Sequence, residues 1–357
     1  MESKKHRFPY KWTLKDSVFT KDKGKVFSCF SCGGGSSFGY KLAGFDVIGC
    51  NEIDPKMMEA YKANHNPKYA YLEPIQTFKL REDLPQELYE LDILDGSPPC
   101  SSFSMAGNRE KDWGKEKKFR EGQAEQVLDN LFFDFIDLAK KLQPKVVVAE
   151  NVKGLLMGNA KEYVRRIYRE FDLAGYYCQH WLLDASKIGV PQRRERVFFI
   201  AMRKDLATKF LYQQDMFTIL PKLNIYFNEP EIPFGDFKDE NGRELSDNMK
   251  KVWELKMFGD GDMRDGHLRK FGSHKYFSQR YLYSNKVSDT ITSHEDSLVL
   301  FDSPRYTSTN EVCQIGSFPL DYNFNSTKPH YLIGMSVPPI MVAQLSEQIY
   351  LQWLSKL

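Results

Sequence analysis

Residues 26–37 read Val-Phe-Ser-Cys-Phe-Ser-Cys-Gly-Gly-Gly-Ser-Ser and join an apolar run to a helical pattern. The pattern predicts a strand over Val26–Phe30, a glycine turn, and then a helix that carries Phe38 and Leu42. Glycines without side chains let a ligand approach the backbone at a helix N-terminus. Alone, the turn is equally compatible with a plain tight connection.

An acidic side chain follows the next apolar run. Asp46–Cys50 is predicted as a second strand, and Glu52 lies just beyond it, 17 residues after Gly35. In dinucleotide-binding units, an acid about 20 residues beyond the glycines accepts hydrogen bonds from ribose hydroxyls. The glycine turn and this acid together predict an adenosine-binding site.

Apolar strands continue to alternate with amphipathic helices over about 200 residues. Val127–Leu142 gives the clearest helical pattern, because its apolar side chains recur every three or four residues. Lys145–Ala149 is a nearly continuous apolar run of the kind that parallel sheets bury on both faces. The alternation predicts an α/β fold with a doubly wound, mostly parallel sheet, whose ligands bind at the carboxyl ends of the strands. Further strands are predicted at Tyr69–Ile75, Leu91–Leu94, Tyr177–Leu183 and Val197–Ala201.

A candidate nucleophile follows the predicted strand Leu91–Leu94. Gly96, Pro98 and Pro99 end this strand and lead directly to Cys100. The prolines restrict the backbone just before the thiol, and an accessible thiolate in a fixed place is a good nucleophile. On this stretch alone, a buried structural cysteine beside a turn fits equally well.

A carboxylate and an arginine cluster stand at two other strand ends. Glu150 follows the strand Lys145–Ala149, where a buried carboxylate is costly unless it has a partner or a chemical role. Residues 193–196 read Arg-Arg-Glu-Arg and precede the strand Val197–Ala201. Since ligands of doubly wound sheets collect at the strand ends, we expect Cys100 and Glu150 to share a cleft with the glycine turn.

These groups suit one class of reaction. A thiolate can add to an electron-poor ring carbon when an acid protonates or hydrogen-bonds the ring elsewhere. An arginine can hold a ring carbonyl oxygen and stabilise the charge that develops there. Cytosine meets these requirements, because addition at C6 makes C5 nucleophilic enough to take a methyl group from a sulfonium donor.

Composition limits the partners and the compartment. The 357 residues exceed what one hydrophobic core usually serves, so two domains are expected. The net charge of +2 gives no global sign of a polyanion partner. The six cysteines lack a disulfide-framework spacing, and Cys29 and Cys32 have no second pair to complete a zinc site. Without a run of about 20 apolar residues, we expect a cytoplasmic protein without a membrane partner. We also expect it to be monomeric and to use no metal.

A set of short motifs stands in a fixed order along the chain: Phe30-x-x-Gly33-Gly34-Gly35, Glu52, Ser97-Pro98-Pro99-Cys100, Leu131-Phe132-Phe133, Glu150-Asn151-Val152, Gln192-Arg193-Arg194-Glu195-Arg196 and Gly334-Met335-Ser336-Val337-Pro338-Pro339. Pro-Pro-Cys together with Glu-Asn-Val and Gln-Arg-Arg-Glu-Arg is highly specific. In these motifs and their order the chain resembles the cytosine-C5 DNA methyltransferases of bacteria and phages, over nearly its whole length outside residues 205–300. The resemblance implies a nucleoid-associated protein.

The resemblance implies a Rossmann-like domain that transfers a methyl group from S-adenosylmethionine to cytosine C5 and releases S-adenosylhomocysteine. The target base would be flipped out of the duplex, because C6 cannot be attacked within the stack. Cys100 would bond to C6, while Glu150 contacts N3 and Arg196 contacts O2. Arg194 would support this site. The implied cofactor-binding residues are Phe30, Ser31, Cys32, Gly33, Gly34, Gly35, Glu52, Ile53, Ile75, Pro99, Leu131 and Ser336.

Three positions depart from the family's pattern and bear on cofactor affinity. Cys32 stands where the first motif usually has its first glycine. Pro74 replaces the acid that commonly contacts the adenine amine, which leaves only the apolar Ile75. Met335 stands where an asparagine is usual. The catalytic set is intact.

Residues 205–325 lose the strand–helix alternation and are predicted to form a smaller, irregular, β-rich domain. Within them His267–Lys286 contains five Lys and Arg residues and no acid, interleaved with aromatic side chains. This composition is typical of a nucleic-acid surface, although a solvated sheet edge also fits. By resemblance it is the target-recognition region, with residues 1–204 and 326–357 forming a discontinuous catalytic domain. Contacts to double-stranded DNA are predicted for Ser104, Arg109, Gln192, Arg193, Arg269, Lys270, Lys275 and Arg280.

Three alternatives stay open at this point. A tRNA cytosine methyltransferase shares the motif set, and a catalytically inactive DNA-binding relative would share the fold. A nucleotide-cofactor oxidoreductase explains the glycine turn and Glu52 but leaves Cys100 and Glu150 without a role.

Overall fold

The protein is described by a computed structural model over residues 6–99, 130–157, 160–215, 218–273, 275–276 and 279–357, with the backbone of two short strands at 116–117 and 126–127. Cys100, Ser104 and Arg109 lie outside the described residues. The helices are α1 (Gly35–Leu42), α2 (Pro55–His65), α3 (Ile75–Phe78), α4 (Leu131–Leu142), α5 (Lys161–Leu173), α6 (Lys204–Ala207), α7 (Asp247–Trp253), α8 (Met263–Phe271), α9 (Thr309–Ile315), α10 (Pro329–Met335) and α11 (Pro339–Gln352). The strands are β1 (Lys25–Cys29), β2 (Asp46–Glu52), β3 (Tyr69–Leu72), β4 (Ile93–Gly96), β5 (Glu116–Lys117), β6 (Gln126–Val127), β7 (Val146–Val152), β8 (Tyr176–Asp184), β9 (Glu195–Arg203), β10 (Leu211–Gln213), β11 (Ile219–Pro221), β12 (Arg280–Leu282) and β13 (Leu298–Leu300).

A seven-stranded sheet in the order β3-β2-β1-β4-β7-β9-β8 organises the larger part of the chain. Strands β3, β2, β1, β4 and β7 run parallel to one another. Strand β9 runs antiparallel to both β7 and β8. The predicted mostly parallel, doubly wound sheet is confirmed.

Several predicted boundaries shift by one to four residues, and two of these shifts have a clear physical cause. The helix predicted from Val127 begins at Leu131, because residues 126–127 pair with β5 instead. The strand predicted over Tyr69–Ile75 ends at Leu72. Pro74 adopts an extended conformation there and becomes the N-cap of α3.

The core of the sheet rests on α4, whose apolar face is buried as the periodicity predicts. The ring of Phe132 packs edge-on against Phe199 of β9 at a centroid distance of 5.5 Å. Phe135 lies so close to β4 that a Cβ on Gly96 would stand 2.5 Å from its ring. Glycine at this position therefore lets α4 approach the strand that leads to Cys100.

By compactness the chain divides into two units, which we describe separately. The sheet unit comprises residues 18–184, 195–227 and 342–357, and the second unit comprises residues 1–17, 185–194 and 228–341. Residues 326–341, assigned above to the catalytic domain, fall in the second unit by this criterion. The functional division into catalytic and recognition domains stays a prediction.

The second unit contains helices α7 to α10 and the parallel pair β12–β13. One core cluster includes Met263, Tyr281, Tyr283 and Val299. Helix α9 begins with a capping box, in which Ser308 and Glu311 satisfy each other's backbone N–H groups.

Candidate active site at the carboxyl edge of the sheet

The glycine turn between β1 and α1 is built from left-handed residues. Phe30, Cys32 and Gly34 have φ values of +52°, +47° and +82°. A Cβ on Gly34 would stand 2.0 Å from Nε2 of His65, so only glycine fits there. Cys32, the departure from the family's glycine, adopts the left-handed conformation that glycine usually supplies, at a cost of about 1–3 kcal/mol.

Glu52 ties this turn to the end of β2. Its buried carboxylate accepts hydrogen bonds from the backbone N–H groups of Cys32 at 2.7 Å, Ile53 at 2.8 Å and Asp54 at 2.9 Å. Burial raises the pKa of Glu52, and these three donors oppose the rise. Since a carboxylate has about four acceptor positions, the three bonds leave room for one further donor.

An aromatic stack supports the turn from α2. The His65 ring lies 4.3 Å from the Tyr61 ring and 3.9 Å from the Phe38 ring. Burial lowers the pKa of His65 well below its usual range, so the imidazole is neutral at physiological pH. The His65 ring occupies the space that a side chain at position 34 would need.

The apolar residues predicted to line the cofactor site have mixed environments. Ile75 and Leu131 are buried in the core cluster of the sheet. Phe30 is half-buried, with its ring edge-on to Phe135 at 6.4 Å. Ile53 and Pro99 are also half-buried. Their contacts with a cofactor stay predictions.

Glu150 and Arg196 form an ion pair at the edge where β7 ends and β9 begins. Nε of Arg196 lies 2.8 Å from Oε1 of Glu150. Burial lowers the pKa of Arg196 and the carboxylate of Glu150 opposes this, so the guanidinium stays charged. The structure thus brings together two residues that are distant in sequence and predicted for the same ring.

The residue after Glu150 fixes the turn that precedes Cys100. Nδ2 of Asn151 donates a hydrogen bond to the carbonyl of Pro98 at 3.1 Å. Sequence reasoning gave Asn151 no role, although it belongs to the Glu-Asn-Val motif. The bond anchors the turn before Cys100 to β7, the strand that also carries Glu150.

Asp95 is a titratable group that sequence reasoning missed. Its carboxylate, buried within β4, accepts hydrogen bonds from Ser28 Oγ at 2.7 Å and Tyr40 Oη at 3.2 Å. Burial, with a smaller contribution from the charge of Glu150, raises the pKa of Asp95 to about 7 against these donors. The sequence signal that could have identified Asp95 is a carboxylate within an otherwise apolar strand.

Arg194 and Ser336, predicted for catalysis and for the cofactor, both lie in the second unit. Nη2 of Arg194 donates to the carbonyls of Gly334 and Ser336, each at 3.0 Å. The Ser336 hydroxyl donates to the Leu332 carbonyl at 2.8 Å. These bonds organise the Gly-Met-Ser motif.

The predicted DNA-binding residues of the second unit divide into two groups. Gln192 is buried and donates to the Ile315 carbonyl at 3.1 Å. Arg269 pairs with Asp260 at 2.6 Å, and Arg280 with Asp289 at 3.1 Å. Arg269 and Arg280 are exposed as well as paired, and Arg193, Lys270 and Lys275 are likewise exposed.

Over the described ranges, no group of three or more His, Cys, Asp or Glu side chains is placed to hold a metal ion. None of the helices in the same ranges is long and apolar enough to cross a membrane.

One family model matches most of the chain. The family model for C-5 cytosine-specific DNA methylase matches residues 24–351. The chain belongs to this family.

Two relatives and one solved structure illustrate the likeness. The Type II methyltransferase M.FnuDI of Fusobacterium nucleatum is 39% identical over 182 residues, which cover 51% of this chain and 48% of the relative. M1.HphI of Haemophilus parahaemolyticus is 28% identical over 333 residues, covering 90% of this chain and 85% of the relative. The match to M.FnuDI therefore spans about half of that relative. A Spodoptera frugiperda DNMT2 structure has a TM-score of 0.61 at 18% identity, over 91% of this chain and 99% of that one, and supports the Rossmann-like fold.

Proposed function

We propose that the protein is an S-adenosylmethionine-dependent DNA methyltransferase that methylates cytosine at C5. The observation on which this rests is the Glu150–Arg196 ion pair at 2.8 Å, on the strand whose Asn151 holds the Pro98 carbonyl. A carboxyl group and a guanidinium beside the turn to a cysteine are what addition to a cytosine ring requires.

In the proposed reaction, the target cytosine is flipped out of the duplex and the Cys100 thiolate bonds to C6. Glu150 holds a proton at N3 and Arg196 donates to O2, so the electron pair displaced from C6 is stabilised and C5 becomes nucleophilic. After C5 takes the methyl group, it loses its proton to a base. The electron pair of the broken C5–H bond re-forms the C5–C6 double bond, and the C6–S bond breaks to free the thiolate.

The cofactor site is proposed at the glycine turn. The turn places backbone N–H groups without an obstructing Cβ at the start of α1, and Glu52 keeps one acceptor position for a ribose hydroxyl. Phe30, Ile53 and Ile75 fit the walls of an adenosine site. S-adenosylmethionine bound there supplies the electrophilic methyl group.

Residues 205–325 would carry target recognition, as the sequence predicts. The exposed Lys270 and Lys275 within this range, and Arg193 before it, suit phosphate contacts. A duplex DNA substrate also implies that the protein works in the compartment that holds the chromosome.

Methyl transfer from labelled S-adenosylmethionine to duplex DNA and to tRNA tests the proposal. We expect label in DNA, no label with Cys100→Ser, and a stable adduct of the wild type with DNA that contains 5-fluorocytosine. Cofactor binding by calorimetry should be unchanged in Cys100→Ser, which controls for folding. Label in tRNA alone would contradict the DNA assignment, and wild-type rates for Cys100→Ser would contradict the mechanism.

A further inference from the structure

Residues 256–260, here called the tip loop, present two adjacent apolar side chains to solvent between α7 and α8. Met257 is 60% exposed and Phe258 is 81% exposed. Single exposed apolar residues are common on protein surfaces. Two adjacent exposed apolar residues in a loop that hydrogen bonds fix in place are uncommon, and they indicate a contact with another molecule.

The tip loop is fixed by a network of hydrogen bonds. Oδ2 of Asp260 accepts from the Met257 backbone N–H at 2.7 Å. Arg269 donates to both oxygens of this carboxylate, from Nη1 to Oδ1 at 2.8 Å and from Nη2 to Oδ2 at 2.6 Å. Its Nη2 also donates to the Leu255 carbonyl at 2.9 Å. The Tyr283 hydroxyl accepts from the Gly259 N–H at 3.1 Å and donates to the Asp260 carbonyl at 2.8 Å. The loop is therefore pre-organised, with Arg269 as a positioning residue.

The base of the tip loop is a stack of aromatic rings. Tyr283 stacks on Phe301 with centroids 4.4 Å apart and an interplanar angle of 22°. The Phe258 ring stands edge-on to both, at 5.8 Å from Tyr283 and 6.3 Å from Phe301. Only one edge of Phe258 is thus covered, and the rest of the ring is available to a planar partner.

Two lysines frame this aromatic surface. The Lys256 ammonium lies 3.0 Å from the centroid of the Trp253 ring, and that of Lys286 lies 4.3 Å from the centroid of the Tyr283 ring. The nearby acid Asp260 is neutralised by its two bonds to Arg269. Asp262 caps α8 and lies 3.4 Å from Arg264, and Asp302 pairs with Lys238 at 3.0 Å. Glu254 and Asp302 also act electrostatically on Lys256. Cations on aromatic rings, beside acids most of which are paired, are complementary to a polyanion with planar bases.

We propose that the tip loop is a DNA-contacting wedge: Met257 and Phe258 pack against bases of the duplex while Lys256 and Lys286 contact phosphates. This inference rests on the proposed function. Apolar side chains that enter a groove commonly unstack or support a base step, and the flanking cations fix the register on the backbone. The wedge gives the recognition region a contact that its basic composition did not predict.

The test uses full-length Phe258→Ala and Met257→Ala variants, with Tyr226→Ala as the matched control. Tyr226 is 80% exposed and belongs to the sheet unit. We expect Phe258→Ala to weaken duplex DNA binding by about tenfold or more, as removal of an aromatic–base contact does. Calorimetric S-adenosylmethionine binding and the thermal midpoint should be unchanged. A Phe258→Trp variant should show indole fluorescence that duplex DNA quenches.

Each outcome decides between the two proposals. If the wild type methylates DNA and the Met257→Ala/Phe258→Ala double variant binds and methylates it equally well, the wedge is wrong and the proposed function stands. If the wild type neither binds nor methylates DNA, both are wrong. If Phe258→Ala instead converts a wild-type dimer to a monomer in light scattering without changing DNA affinity, the tip loop is a self-association surface and the wedge is overturned.

Discussion

Replacement of Asp95 by asparagine should change how the stability of the protein depends on pH. The buried carboxyl has a pKa of about 7 in the folded protein, compared with 3.8 when unperturbed. Between these values the folded state holds a proton that the unfolded chain has released, so this group's contribution to stability falls as pH rises from 3.8 to 7. From pH 5 to pH 8 the loss is about 2–3 kcal/mol, at about 1.4 kcal/mol for each pH unit up to the folded pKa. An asparagine does not titrate, so the stability of Asp95→Asn should not show this loss between pH 5 and pH 8.

The measurement is urea-induced unfolding of the wild type and Asp95→Asn from pH 5 to pH 8. The free energy of unfolding of the variant should rise by about 2–3 kcal/mol relative to that of the wild type across this range. Asp172→Asn controls for the loss of a carboxylate, because the Asp172 side chain is 66% exposed. A constant difference between wild type and Asp95→Asn, or a difference that changes in the opposite direction, would refute the reasoning.

Three further substitutions test the packing beside the glycine turn and β4 and a buried ion pair in the second unit. Gly34→Ala adds a Cβ 2.0 Å from His65 Nε2 at a residue with φ +82°, and we expect a stability loss of at least about 1–3 kcal/mol and weaker S-adenosylmethionine binding by calorimetry. Gly96→Ala should cost about 1–3 kcal/mol by overpacking against α4, measured as a lower midpoint of urea unfolding, whereas an unchanged midpoint would show that α4 can shift. Glu311→Ala leaves the Arg305 guanidinium, bonded at 2.9 Å to both carboxylate oxygens, buried without its partner; a loss of about 3–5 kcal/mol is expected, and a loss below 1 kcal/mol would contradict it.

The sequence predicts the sheet well because its signals are local. Strand, glycine turn and helix follow one another within residues 25–42, and the structure has them in that order. Glu52 lies beside the turn and accepts a hydrogen bond from the Cys32 N–H, while its contact with a cofactor stays a prediction. The pairing of Glu150 with Arg196 follows from strand ends meeting at one edge.

What the sequence could not predict depends on contacts between distant residues. The pKa of Asp95 is set by burial and by Ser28 and Tyr40, neither of which any motif connects to it. Arg269 lies in a basic run, yet its guanidinium is bonded to Asp260. That same bond helps to fix the tip loop in which Phe258 is exposed, and no sequence motif indicates it.

The antiparallel direction of β9 makes strand register a determinant of chemistry. In the pairing with β7, Arg196 stands opposite Val152 and Phe198 opposite Glu150. A shift of β9 by one residue would preserve every kind of backbone hydrogen bond and yet send the guanidinium to the opposite face of the sheet. A single insertion or deletion within β9 would thus separate Arg196 from Glu150 without breaking the sheet. Any chimera built within the family should therefore exchange residues 195–203 as one block together with β7.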